Sequence, residues 1–227
     1  MASDYNFVPG AATPMVVATE GSELILSDGR RVLDGGGGAI VVNIGHGRPE
    51  IAEVAARTTS TVDYVIPPWN TPARQAVVDR LVSSWLPAGL DRVVLTSGGS
   101  EAVDSAIRLA HAYHVCNGEP DRYRVIGRWP SYHGVNLGGL AAGGHRGRRN
   151  GYERLLLDFP HVVWDDPDAL EAMIEAQGPE TIAAFIAEPV IGSAGGALVP
   201  PADYFPRVAE ICRRYGVLFI ADEVMTG

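Results

Sequence analysis

The sequence predicts an α/β fold, a doubly wound and mostly parallel sheet with helices on both faces, preceded by an N-terminal segment. Three observations carry this expectation. From residue 92 onward, short apolar runs alternate with stretches of helical periodicity, the pattern of βαβ units. Composition changes near residue 70, from a Gly- and Pro-rich segment (1–70) to helix-rich sequence (71–227). The chain has 227 residues, 46% hydrophobic and 20% charged, enough for one sizeable core.

Within the first segment, "SELILSDGRRVLD" reads as a hairpin turning at Asp28-Gly29. Pro72 then opens a helix, "PARQAVVDRLVSSWL", in which Ala76, Val77, Leu81 and Leu86 fall near helical spacing. "RVVLTS" (92–97) predicts a strand and "SEAVDSAIRLAHAYHV" a helix. "YRVIGR" (123–128) predicts a strand, followed by a Gly/Ala-rich helix near 134–142. "TIAAFIAE" (181–188) is the next strand, followed by a helix over "ADYFPRVAEICRRY". "VLFIADEV" (217–224) is the last strand.

Net charge is −9, and the largest basic cluster is the short "HRGRRNG" at 145–151. This argues against nucleic acid or an anionic membrane as partner. The opening "MASDYNFVPG" lacks the pattern of a signal peptide, and no apolar run is long enough to span a bilayer. Cys116 and Cys212 lie far apart without CxxC spacing and read as buried thiols of a reduced, cytoplasmic protein. All 18 basic side chains are arginine, so chemistry that needs a lysine amine is not completed within these residues.

In an open α/β sheet, ligands lie outside the carboxyl ends of the strands, and four stretches fall there. In "TSGGSEAVDSAIRLA", a Gly-rich turn opens a helix, so Gly99 and Ser100 offer backbone N–H groups and a favourable dipole to an anion. The competing reading is a helix capped by Ser97 or Ser100 with Glu101 in its first turn. In "SYHG" (131–134), Tyr132 and His133 either meet a planar ligand or fill the core. No metal site is expected: His133 has no partner at ligand spacing, and His111 and His114 read as a solvated or half-buried helix face. In "AEPVIGSAGG", Glu188 is a substrate-facing or structural carboxylate, and Gly192, Gly195 and Gly196 mark a tight loop. In "LFIADEVMTG", Asp222 at the end of a buried strand needs a cationic partner: magnesium, a protonated ring nitrogen, or an internal arginine. Without a phosphate-loop lysine the nucleotide–magnesium reading is the weakest.

In this order and spacing, these stretches together with "DGRRVLDGGGGAIVVNIGHGRPEI" resemble the class III (omega) aminotransferases, fold type I enzymes that use pyridoxal 5'-phosphate. The resemblance runs across nearly the whole chain. It implies that residues 1–70 belong to the small domain and active-site entrance, and that 71–227 form part of the cofactor-binding large domain. It implies that Gly99 and Ser100 bind the cofactor phosphate, Tyr132 stacks on the pyridine ring with His133 beside it, and Val224 packs on the opposite face. Asp222 would pair with the ring nitrogen and strengthen the ring as an electron sink. Glu101 and Glu188 would support the site, and Trp69 would line the substrate pocket. The family's Schiff-base lysine, its proton shuttle, lies on a later strand, so the chain reads as about the first half of such an enzyme. The implied activity of the complete protein is transamination between an amino donor and an oxo acid or aldehyde, by a homodimer. Another pyridoxal-phosphate reaction (aminomutase, decarboxylase or racemase) and a non-catalytic relative lacking the lysine are the alternatives.

Overall fold

The computed structural model describes residues 13–227, so the reading of the first ten residues as free of a signal peptide lies outside the described residues. The chain divides into two compact units, Met1–Val93 and Val94–Gly227.

The first unit carries a three-stranded antiparallel sheet in the order β1-β2-β3, formed by β1 (Val16–Glu20), β2 (Glu23–Leu26) and β3 (Arg31–Leu33). The expected hairpin is β2–β3, with Leu24 opposite Val32. Asp34 organises the glycine run that follows. Its carboxylate accepts the Gly38 N–H at 2.7 Å and meets His46 Nε2 at 2.8 Å, flanking the short turn α1 (Gly37–Ile40). Helix α2 (Pro49–Thr59) was not expected among so many glycines and prolines; Pro49 at its first turn starts it. The helix expected from Pro72 is α3 (Pro72–Ser84), capped by the Thr71 side chain accepting the Arg74 N–H.

The second unit holds a four-stranded sheet in the order β5-β4-β6-β7, and every pair is parallel. Its strands are β4 (Arg124–Trp129), β5 (His161–Val163), β6 (Ile182–Ala187) and β7 (Leu218–Ala221). Every residue of β6 is buried, as expected for a central strand covered on both faces. On one face lie α7 (Pro167–Gln177) and α8 (Tyr204–Tyr215), whose Leu170, Ile174, Val208 and Ile211 pack with Ile126 and Phe185. On the other lie α4 (Gly99–Cys116) and α5 (Leu137–Ala142), where Val103, Ile107 and Ala110 pack with Val125, Ala184 and Ile186. Gly127 is essential to that second layer: a Cβ there would stand 1.9 Å from the Ala142 carbonyl oxygen. The short α6 (Arg146–Arg149) follows α5. This is the doubly wound α/β architecture the sequence predicts.

Several expectations need correction. Residues 92–97 form no strand: they have no ladder partner among the described residues, and Val94 and Leu95 remain 76% and 52% exposed. A strand exists only where a neighbour takes its backbone hydrogen bonds, and apolarity alone does not supply one. Strand β5 and helix α7 were not foreseen; α7 begins at Asp166, whose side chain accepts the Asp168 and Ala169 N–H groups, with Pro167 next. His114 is fully buried rather than on a wet helix face, with Nε2 at 2.9 Å from the Ala183 carbonyl. Cys212 is buried as expected, but Cys116, at the end of α4, is exposed. Among the described residues no helix is long and apolar enough to cross a membrane, and no three His, Cys, Asp or Glu side chains gather as a metal-ligand set.

Candidate active site

The sheet order fixes where a site can form. Strand β4 lies between β5, which follows it in sequence, and β6, which follows β5. The chain therefore leaves the carboxyl ends of β4 and β6 in opposite directions, opening the crevice in which ligands of such sheets bind. Residues 130–134 follow β4 and residues 188–192 follow β6.

The turn after β4 is locked by its own polar groups. The Ser131 hydroxyl donates to the Arg128 carbonyl at 2.8 Å and accepts the Gly144 N–H at 2.9 Å. Gly134 adopts φ +98°, and a Cβ there would lie 2.5 Å from Ser100 Oγ. That close approach lets Ser100 Oγ accept the Val135 N–H at 3.1 Å, tying the start of α4 to the end of the "SYHG" turn.

His133 points inward, with 1% of its surface exposed. Its Nδ1 lies 2.7 Å from Asp222 Oδ2, while Asp222 Oδ1 accepts the Val224 N–H at 3.2 Å. The Asp222 N–H donates to the Ala187 carbonyl at 2.9 Å, so the carboxylate is held by continuation of the β6–β7 ladder. Among the described residues, His133 Nε2 is buried with no hydrogen-bond partner. The partner of Asp222 is thus a histidine, not the internal arginine that was one alternative. The buried Arg128 is engaged elsewhere, donating to the carbonyls of Glu188 and Trp164.

Glu188, also buried, accepts the Tyr132 N–H at 2.9 Å through Oε2 and the Gly192 N–H at 3.3 Å through Oε1. Burial raises its pKa above the usual carboxylate value, opposed by these N–H bonds and by the nearby His133. It clasps two loops together, the structural role of the two left open. The loop it holds is tight, as the glycines predict: the Gly195 and Gly196 N–H groups both donate to the Gly192 carbonyl.

At the head of α4 the N-cap is Gly98 in an extended conformation, and no side chain among the described residues caps the first turn. Neither Ser97 nor Ser100 is the cap that the competing reading required. Glu101 instead reaches back to accept the Ser97 N–H at 2.9 Å, fixing the turn while leaving the helix-start N–H groups available to an anion. Val224 packs over this point, with its Cγ1 3.1 Å from where a Gly99 Cβ would stand. Gly99, Ser100, Tyr132, His133, Glu188, Asp222 and Val224 are thereby joined by direct contacts within the second unit. Tyr132 is half-buried, its ring between the edge of His145 (centroids 6.3 Å apart) and the Arg148 guanidinium (4.9 Å). Trp69 belongs to the first unit and is 69% exposed.

Sequence reasoning missed two contributors. Arg128 carried a signal, a charge inside the apolar run "YRVIGR". Ser131 carried none, because its two hydrogen bonds depend on a turn visible only in three dimensions.

Comparison with known proteins follows the same outline. The family model "Aminotransferase class-III" matches residues 9–227. The uncharacterized aminotransferase YodT of Bacillus subtilis is 34% identical over 99% of this chain and 55% of its own length. The putrescine–pyruvate aminotransferase of Pseudomonas aeruginosa is 33% identical over 99% of this chain and 53% of its own. A solved transaminase from the marine bacterium Virgibacillus superposes with a TM-score of 0.90 at 37% identity, covering 96% of this chain and 51% of that one. An amine transaminase from an uncultivated Pseudomonas species, solved in its PLP-bound form, gives 0.85 at 34% identity over 100% of this chain and 57% of that one. The chain spans about half the length of the relatives it matches. A match over nearly every residue, with this sheet and these strand ends, establishes that the chain belongs to the class III aminotransferase family.

Proposed function

We propose that the complete protein carries out pyridoxal-phosphate-dependent transamination between an amino donor and an oxo acid or aldehyde. The observation that carries this reading is the buried Asp222–His133 pair, 2.7 Å apart, at the carboxyl ends of parallel strands and beside an uncapped helix start. The donor set fits a pyridinium phosphate. The helix-start N–H groups of Gly99 and Ser100 would take the phosphate dianion, aided by the helix dipole. The Tyr132 ring would pack on one face of the pyridine and Val224 on the other. Asp222 would hold the ring nitrogen in its protonated form, with His133 orienting the carboxylate from behind. When bound, the cofactor supplies an electron sink for the carbanion left by loss of the substrate α-proton. Glu188 keeps Tyr132 in place through its backbone, and Glu101 keeps the phosphate turn in shape.

The base that moves the proton is, in this reading, a lysine amine, which these 227 residues do not contain. The activity is therefore assigned to the complete protein. Within it, residues 1–70 would contribute the small domain and entrance, with Trp69 lining the substrate pocket, and 71–227 the cofactor-binding domain. The assembly would be a cytoplasmic homodimer; a monomeric active species in sedimentation would contradict it. The decisive experiment incubates the full-length protein, loaded with pyridoxal phosphate, with a panel of amino donors and either pyruvate or 2-oxoglutarate. A new amino acid formed from the acceptor is expected, and none from any donor would overturn the reading.

A further inference from the structure

Arg128 is the one charged side chain with no exposed surface among the described residues. Burial pushes its pKa below the ordinary arginine value, opposed first by Tyr204. Its guanidinium lies 5.7 Å from the Tyr204 ring centroid and 6.0 Å from that of Phe205. Among the described residues its hydrogen-bond partners are two main-chain carbonyls, not carboxylates, and Nε has none. A buried cation without a carboxylate is costly, and an apolar side chain would fill the same space at less cost. The two carbonyls show what the charge is kept for.

Arg128 lies near the carboxyl end of β4, opposite Val162 of β5 in the ladder. Trp164 is the first residue past β5 and Glu188 the first past β6, the strands on either side of β4. Their carbonyls lie beyond the last ladder pairs, so no neighbouring strand takes them. The planar fork supplies a donor to each: Nη1 to the Trp164 carbonyl at 3.2 Å and Nη2 to the Glu188 carbonyl. The Arg128 carbonyl also grips the following turn, accepting the Ser131 hydroxyl at 2.8 Å. Both arms end on Tyr132. Ser131 precedes it, and the Glu188 carboxylate accepts its N–H at 2.9 Å.

We propose that Arg128 is a positioning residue for the cofactor ring. Acting through the Glu188 main chain, its guanidinium sets where the Glu188 carboxylate meets the Tyr132 and Gly192 N–H groups, and hence how Tyr132 lies on the pyridine face. The inference rests on the proposed function, which assigns Tyr132 to that face. A lysine ammonium, a single centre on a flexible stem, cannot span both carbonyls as the fork does.

The test uses the full-length, cofactor-loaded protein with Arg128→Met, Arg128→Lys, Glu188→Gln and the double variant Arg128→Lys/Glu188→Gln. Hydrogen exchange is read at single amides by mass spectrometry. In Arg128→Met the Tyr132 and Gly192 N–H groups should exchange about tenfold faster or more, while the Gly139 N–H, held by Asp104 on the other layer, stays within about twofold. Equal acceleration at all three would make Arg128 a plain core residue, and none at Tyr132 and Gly192 would show that Glu188 is placed without it. Either overturns the proposal. Should the methionine variant fail to fold, Arg128→Lys keeps the charge and one donor group, and the cofactor gives a second reading. Arg128→Lys and Glu188→Gln should each weaken pyridoxal phosphate binding by about fivefold, and the double variant by about the same, because both act through one carboxylate. A product of the two losses, about 25-fold, would mean independent action and overturn the proposal. If the wild-type protein bound no pyridoxal phosphate, the proposed function would fall while exchange at Tyr132 and Gly192 still decided the role of Arg128.

Discussion

Glu188 and Asp222 follow residues that pair across neighbouring strands, Ala187 of β6 and Ala221 of β7. Both are buried carboxylates at the same level of the same sheet. Asp222 faces a histidine side chain at 2.7 Å, whereas Glu188 faces two backbone N–H groups from different loops. Strand position delivers a carboxylate to the floor of a crevice, but the groups that meet it there decide what it does. One partner is an ionisable ring that leaves an acid available for a cationic ligand; the other is backbone, and it turns the acid into a clasp.

The comparison breaks if the two carboxylates prove interchangeable. If the complete protein is the proposed transaminase, Asp222→Ala should lower its kcat/KM by about 10²–10³, the usual loss when one electrostatic partner of a reacting centre is removed. Glu188→Gln, which keeps an acceptor for one loop, should lower it by less than about tenfold. Similar losses in steady-state kinetics would mean that both acids act on the reacting atoms.

Stability should discriminate in a second way. Glu188→Ala strips the acceptor from the Tyr132 and Gly192 N–H groups, and each buried donor left unpaired costs about 1–3 kcal/mol. Urea unfolding should therefore show a loss of roughly 2 kcal/mol or more, with Glu188→Gln intermediate. No change in the midpoint would mean that water replaces the carboxylate and that the clasp is dispensable.

The pH dependence sharpens the point. A carboxyl group whose folded-state pKa is raised destabilises the fold once it ionises. Its penalty is absent below the unfolded value of 4.5 and grows as pH rises through the folded value. Glu188→Gln removes that trend, so wild type should lose stability relative to the variant as pH rises through this range and hold a constant deficit above it. A constant difference between the two proteins across this range would show that hydrogen bonding fully offsets burial.

The smallest effect concerns the tie between the helix start and the "SYHG" turn. Ser100→Ala removes the acceptor of the Val135 N–H, which is exposed, and should cost about 1 kcal/mol. A larger fall in pyridoxal phosphate affinity than in stability would place the hydroxyl on the cofactor itself.

Much of this was legible in the sequence because it depends on local rules. The all-buried β6 appears as "IAAFIA", α8 ends at Gly216 in the left-handed conformation, and the hairpin turns at Asp28-Gly29. Strand β5 was not legible, since three residues, His161–Val163, give no periodicity to read. Residues 92–97 misled for the opposite reason: their composition suits a strand, but pairing is a property of neighbours. At the site, residue types at strand ends identified Asp222, Glu188 and Tyr132 as candidates. They left the partner of Asp222 open, because its contact with His133 spans 89 positions.

The sequence by itself determined the alternation of strands and helices, the strand ends where acids and glycines collect, and the absence of any lysine among these residues. Those features follow from side-chain periodicity, turn chemistry and composition, which act over a few residues. Only the tertiary structure decided that Asp222 meets an imidazole, that Glu188 clasps two loops, and that Arg149 bonds the carbonyls at the end of α5. Each of those outcomes depends on which distant groups the sheet order brings within hydrogen-bonding distance.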